Sequence, residues 1–174
     1  MTMSPIDEAA LRCLVATVAP GRASVRDDLA QIVIDELHAA AFLVTRNLTV
    51  HREKEFVSQL IANATSSNEA DALILIGGVG IGPRDFTCEA VVATADRRME
   101  GFGEAYRSLL LDEGAAGALL VRAEAGVCNQ CVVLALPRQP AALTRTAMTR
   151  LVVPMLPEAV RIAAGIGRRR PVAP

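Results

Sequence analysis

Tryptophan is absent from this 174-residue chain, and aromatic side chains of any kind are scarce: one tyrosine and four phenylalanines. With 52% of residues hydrophobic, the core must therefore be built from Leu, Val, Ile and Ala, which suits a buried parallel sheet covered by helices. Histidine is nearly missing too. His38 and His51 are the only two, far apart in sequence, so a histidine-based metal site has little to draw on. There are four cysteines, Cys13, Cys88, Cys128 and Cys131, too few for a disulfide scaffold in a chain of this length. Cys128-Asn129-Gln130-Cys131 has CxxC spacing, but no second ligand pair stands beside it, so no metal site with structural spacing is expected. Packing or turn roles are expected instead.

Charge of one sign is missing as well. A formal net charge of −1 offers no nucleic-acid surface, because phosphate-backbone binding needs concentrated Lys and Arg. The single basic run, Arg168-Arg169-Arg170, reads as a solvated tail. No apolar run approaches the roughly 20 residues of a membrane span. Met1 to Ala10 is polar and acidic, without the basic-then-apolar order of a secretory signal, so a cytoplasmic protein with no membrane partner is expected.

What is present is a regular alternation. Apolar runs at Leu11 to Val18, Phe42 to Val50, Ala72 to Ile76 and Cys131 to Leu136 read as strands. Between them, Asp27 to Ala41 and Glu53 to Ala64 carry apolar residues at helical spacing, as do Cys88 to Arg97 and Pro140 to Leu156. Gly101-Phe102-Gly103 is expected to break the chain before a helix restarts at Glu104, and Pro154 and Pro157 to interrupt the last long helix. Thr87 is a candidate helix N-cap, and His38 is favourably placed toward the carboxyl end of its helix. Strands and helices in alternation, with no repeat or composition shift, predict one domain over residues 1–174. Its fold class is α/β, a three-layer α/β/α sandwich with a mostly parallel central sheet, and residues 1–10 and 166–174 are expected to be flexible tails.

The stretch Gly77-Gly78-Val79-Gly80-Ile81-Gly82-Pro83-Arg84-Asp85 follows the buried run ending at Ile76 and precedes a helical segment. Ligands in open α/β sheets bind at such carboxyl strand ends. Its glycines permit positive φ and close approach, and successive amide N–H groups can face an anion, so a phosphate-bearing ligand is the first expectation. An ordinary strand-to-helix turn uses glycine for the same geometric reasons.

Extended to Asp85-Phe86-Thr87-Cys88-Glu89-Ala90, the loop resembles the signature of the MogA/MoaB family of molybdenum-cofactor biosynthesis proteins: GGTG, then RD, then TPEA. Gly101-Phe102-Gly103-Glu104 with Arg107 resembles the family's GFGE and following arginine. Arg122-Ala123 with Ala125-Gly126 resembles its SRA and AG segment, and Leu134 to Pro140 its LPGSP strand end. The resemblance spans roughly residues 11 to 157.

It implies a molybdopterin-binding domain that assembles as a trimer or a hexamer. Molybdopterin, a pterin phosphate, is implied as substrate or ligand, with ATP and Mg2+ where the member transfers AMP to the pterin's terminal phosphate. On that resemblance Gly77, Gly78, Val79 and Gly80 hold phosphate, Arg84 supplies positive charge, and Asp85 and Glu104 are the catalytic residues, while Arg138, which is not a family residue, either pairs with phosphate through its guanidinium or fills the pocket. Asp27 is a possible metal or nucleotide contact. The chain also departs from the pattern: Val79 replaces a hydroxyl residue, Val121 a serine, Arg138-Gln139 a glycine and serine, and Leu29 and Ala30 a serine and glycine. A catalytically impaired member, binding a ligand or a partner as an oligomeric module, is the alternative.

Overall fold

The computed structural model describes residues 10–21 and 28–165. The expected tails therefore lie outside the described residues, apart from Ala10, and so does Asp27. In chain order the elements are β1 (Arg12–Ala19), α1 (Asp28–Ala39), β2 (Leu43–His51), α2 (Lys54–Ser66), β3 (Ala72–Ile76), α3 (Thr87–Thr94) and β4 (Arg97–Arg98). They continue with α4 (Glu100–Asp112), a 3-10 turn (Ala116–Leu120), β5 (Glu124–Cys128), β6 (Cys131–Leu136) and α5 (Ala141–Ala147). One wide π turn (Met148–Val152) then leads into α6 (Val153–Ala163).

The sheet has six strands in the order β2-β1-β3-β6-β5-β4. β1 pairs in parallel with both β2 and β3, and β3 with β6, whereas β5 runs antiparallel to β6 and to β4. The expected three-layer α/β/α architecture with a mostly parallel sheet is thus the observed one. Strand alternation assigns the two faces. Cys13, Val15, Ala72, Ile74, Val132 and Leu134 face α1, α4, α5 and α6, while Leu14, Ala16, Leu73, Leu75, Val133 and Ala135 face α2 and α3. Both faces are covered, which is why β1, β3 and β6 read as continuous apolar runs rather than alternating ones.

Three expectations are corrected. Gly101 and Gly103 do not break the chain but lie inside the first turns of α4. Gly103 is there for proximity: a methyl group at that position would stand 2.4 Å from the Ala123 carbonyl oxygen, so only glycine lets α4 approach that strand. Pro154 and Pro157 do not end the last helix. Pro154 falls in the first turn of α6, where a missing N–H costs nothing, and the wide turn before it absorbs the change of register. Pro157 is inside α6, held there by the fully buried Leu156 beside it.

Finally, the helix after the glycine loop stops at Thr94, and Arg97–Arg98 turns back as the sheet's edge strand β4. β4 and β5 escape sequence reading because one is two residues long and the other centres on Gly126. A Cβ on Gly126 would sit 2.7 Å from that of Ala95, so that residue lets the α3–β4 connection pass close.

The CxxC segment is a tight hairpin. Cys128 and Cys131 are directly paired across β5 and β6, with Asn129 (φ 47) and Gln130 (φ 69) both left-handed as a two-residue turn between them. Neither thiol is in a disulfide, and both are buried.

Candidate functional site

The chain passes from β1 through α1 to β2 on one side, then through α2 to β3 on the other, so the topological switch point lies between β1 and β3. The glycine loop leaves β3 at that point. Its Gly77 N–H donates to the Leu136 carbonyl of β6 at 2.9 Å. Gly77 and Gly78 adopt φ of 109° and 68°, a region side-chain-bearing residues avoid. Space forbids a side chain at either position too. A Cβ would meet the Val18 carbonyl oxygen at 2.8 Å from Gly77, and the Thr87 hydroxyl at 2.3 Å from Gly78.

Four consecutive carbonyls of this loop are tied to the protein. The Thr87 hydroxyl donates to the Gly77 oxygen at 2.8 Å, and the Thr87 N–H to the Gly78 oxygen at 3.0 Å. The Arg122 N–H donates to the Val79 oxygen at 3.0 Å, and Arg122 Nε to the Gly80 oxygen at 2.8 Å. Every peptide bond among the described residues is trans, so each N–H points opposite to the carbonyl of its own peptide plane. Pinning the carbonyls of residues 77 to 80 inward therefore turns the N–H groups of Gly78, Val79, Gly80 and Ile81 outward. Among the described residues none of these four donates a hydrogen bond. A row of unpaired, outward-facing amides is suited to receive an anion.

Thr87 is therefore not the N-cap that its sequence position suggests. It is the first residue of α3, 1% exposed, and its hydroxyl closes the glycine loop instead of capping a helix N–H. Arg122, noticeable in sequence only as part of a motif, is the other clamp. Besides the Val79 and Gly80 carbonyls it donates to the Asp85 carbonyl at 2.8 Å and pairs with Glu89. Burial is the largest single influence on Glu89 and works against ionisation, but the hydrogen bond from Arg122, a backbone hydrogen bond and the charges of Arg122 and Lys54 together hold its carboxyl below the usual value, so the pair is charged at neutral pH. Cys88 adds a thiol donor to the Arg122 carbonyl at 2.7 Å. Burial pushes that thiol up to about 12 despite the opposing charge of Arg122, so it is a packing group and not a nucleophile.

The residues expected to form the site divide. Gly77, Gly78, Val79 and Gly80 form the amide row, but the Val79 side chain is 3% exposed and points into the core with Cys88 and Val91. A ligand meets only backbone there. Asp85 folds back over the loop: its Oδ2 accepts from the Gly82 N–H at 2.9 Å, and its Oδ1 lies 3.8 Å from the Arg52 guanidinium. Arg138 follows the end of β6 and lays its aliphatic stem beside Gly77, with Cδ 3.4 Å from where a Cβ would be. Arg84 is exposed at the tip of the loop. Glu104 is exposed on α4, and its side chain shares no hydrogen bond or ion pair with Asp85 or any other described residue. Arg52 was not legible as a site residue, although a cation directly after β2 at the carboxyl edge of a parallel sheet is a signal that could have found it. A concavity of about 330 Å³ lined by Cys88, Val92, Arg122 and Glu124 is mostly apolar and includes none of the amide row. It is not the anion site.

Comparison with known proteins identifies the family and the fold. The family model described as a probable molybdopterin binding domain matches residues 8–158. The molybdenum cofactor biosynthesis protein B of Bacillus cereus is 33% identical over 147 residues, covering 84% of this chain and 86% of its own. Among solved structures, a molybdopterin biosynthesis protein from Mycobacterium abscessus superimposes with a TM-score of 0.81 at 27% identity, covering 90% of this chain and 98% of its own. The tungsten cofactor synthesizing protein MoaB from Pyrococcus furiosus gives 0.73 at 27% identity, covering 87% and 98%. On its fold, its loop and these matches, the chain belongs to the family of probable molybdopterin binding domains.

Proposed function

We propose that this chain serves molybdenum cofactor biosynthesis by binding molybdopterin, gripping the terminal phosphate on the outward-facing amides of Gly78, Val79, Gly80 and Ile81. That amide row is the observation that carries the reading. A hydrogen bond to a charged group contributes about 1.5–3 kcal/mol net, so two good ones already favour a phosphorylated ligand by roughly a hundredfold. Arg84 at the loop tip and Arg138 beside Gly77 supply counter-charge at the rim. The pterin is bound by a trimer or pair of trimers. Exposed Val92, Leu111, Leu119 and Leu120 are apolar surface of the kind that such assembly covers.

Transfer of AMP from Mg-ATP is the finer activity that the family resemblance implies. Mg2+ demands several hard oxygen ligands in near-octahedral order. At nucleotide sites these come from one or two carboxylates with phosphate and water oxygens, and the described carboxylate at the loop, Asp85, accepts from the Gly82 N–H and faces the Arg52 cation, which does not suit it. Glu104 makes no contact with Asp85 that would join the two in one site. The function assigned is therefore binding.

The test is a titration of the protein with molybdopterin followed by pterin fluorescence, beside the same pterin with its phosphate removed. Saturable binding of molybdopterin at least about tenfold tighter than the dephosphorylated form is expected. Equal affinity for the two forms would sink the reading.

A further inference from the structure

Arg52 follows β2 and ties its N–H to the Ala19 carbonyl at 2.8 Å, so it stands at the carboxyl end of β1, beside the glycine loop. Its guanidinium and the Asp85 carboxylate are 3.8 Å apart, with side chains 31% and 18% exposed. A settled arginine–carboxylate pair is bidentate and much closer, at about 2.8 Å. Here the pairing is loose, and the Arg52 Nε is buried with no hydrogen-bond partner among the described residues. A buried, unpaired donor on a charged group is rare in native proteins and calls for an acceptor. The nearest carboxylate oxygen, Asp85 Oδ1, stands 3.8 Å from the guanidinium, beyond hydrogen-bond distance, while Oδ2 is held by the Gly82 N–H, so among the described residues no acceptor reaches the Arg52 Nε.

The missing acceptor has a definite chemistry. It must be anionic, because it meets a guanidinium and a row of amides, and it must sit at the mouth of the glycine loop, where Asp85 links the two. A phosphate monoester dianion meets both conditions, since its oxygens can accept from the amides on one side and from the planar guanidinium fork on the other. A divalent cation meets neither. It would be repelled by Arg52 and would find one carboxylate already engaged.

We infer that Arg52 takes the role of a divalent cation at this site, so that the chain binds the phosphate of its ligand without metal and Arg52 sets the preference for the dianion. This rests on the molybdopterin-binding reading above. Arg52 neutralises the phosphate, and Asp85 holds Arg52 in place when no phosphate is there. On binding, the guanidinium exchanges a long contact with Asp85 for short bonds to phosphate oxygen.

The experiment measures molybdopterin affinity by pterin fluorescence in EDTA and in excess Mg2+, for the full chain and for Arg52→Gln and Arg52→Lys. The unaltered protein is expected to bind with the same Kd, within about twofold, in both buffers. Arg52→Gln should raise Kd by roughly tenfold or more in either buffer, and Arg52→Lys, which keeps the charge but not the fork, by less. Affinity for the dephosphorylated pterin should not change in Arg52→Gln, which separates loss of phosphate contact from general damage to the site. Binding by the unaltered chain that requires Mg2+, or an unchanged Kd in Arg52→Gln, overturns the inference and leaves molybdopterin binding standing. Failure of the unaltered chain to bind in either buffer overturns both. The comparison of EDTA with Mg2+ needs no variant, so the outcome does not depend on Arg52→Gln folding well.

Discussion

The Arg122 guanidinium donates from Nε to the Gly80 carbonyl oxygen at 2.8 Å, across 42 residues of chain, and this contact fixes the direction of the loop's amides. Arg122→Ala removes that bond and the one to the Asp85 carbonyl and breaks the pair with Glu89. The side chain is 36% exposed, so water compensates part of the loss. A destabilisation of about 1–2 kcal/mol is expected in urea denaturation. Molybdopterin affinity should fall with it, because the freed Gly80 carbonyl lets the amide row turn. Arg122→Lys should recover little of either, since one ammonium cannot serve two carbonyls and a carboxylate from the same position.

Thr87 tests the other clamp. Its side chain is buried and its hydroxyl is the partner of the Gly77 oxygen. Thr87→Val keeps the shape and leaves that buried carbonyl short of a donor, at a cost of about 1–3 kcal/mol in the denaturation midpoint. Thr87→Ser keeps the hydroxyl and should stay within about 1 kcal/mol of the unaltered protein, the lost methyl being the main change.

The contrast between these two residues shows what a sequence can and cannot reveal here. The strands β1, β3 and β6 are legible because both faces are buried, which leaves continuous apolar runs. The helices α1 and α2 are legible because one apolar stripe repeats at helical spacing. The glycine loop is legible as a loop, since glycine is the residue type that its positive φ values require. Its polarity is not, because that depends on Arg122 and Thr87 reaching the carbonyls from elsewhere in the fold. Helix propensity likewise misreads Thr87 as a cap, and glycine content misreads Gly103 as a break. In both cases a tertiary contact, to the Gly77 oxygen or to the Ala123 oxygen, decides. Arg52 stayed hidden for the same reason: a buried Nε without a partner exists only once β2 is laid beside β1.

The cysteines give a pH prediction. Burial pushes the Cys13 and Cys88 thiols up to about 12 and raises Cys128 as well. A raised thiol value means the neutral, unreactive form persists as pH rises, so at pH 8 the native protein holds almost no thiolate at these positions. Reaction with a disulfide reagent is expected to be negligible in buffer and to reach all four cysteines in denaturant. Prompt reaction of one thiol in the native state would show that its surroundings open.

Two glycines in α4, two positions apart, should respond to the same substitution with opposite sign. Nothing lies within 4 Å of a Cβ built on Gly101, and its backbone is outside the left-handed region, so alanine there is accommodated without strain. It also restricts the unfolded chain, and Gly101→Ala should stabilise by about 0.4–1 kcal/mol. At Gly103 the same methyl would stand 2.4 Å from the Ala123 carbonyl oxygen, which is backbone of the segment entering β5 and cannot swing aside. Relief requires α4 to move off the sheet, and that movement would expose part of Phe102 and Tyr106, which are 5% and 1% exposed. Overpacking of this kind costs about 1–3 kcal/mol or more. The segment from Val121 to Ala123 also carries Arg122, so Gly103→Ala should disturb the clamp on the glycine loop and weaken molybdopterin binding along with stability, whereas Gly101→Ala should leave binding unchanged. Measuring urea midpoints and pterin affinity for the two variants side by side checks the sign of each. Equal effects would mean that the close approach of α4 to Ala123 does not hold the loop in place.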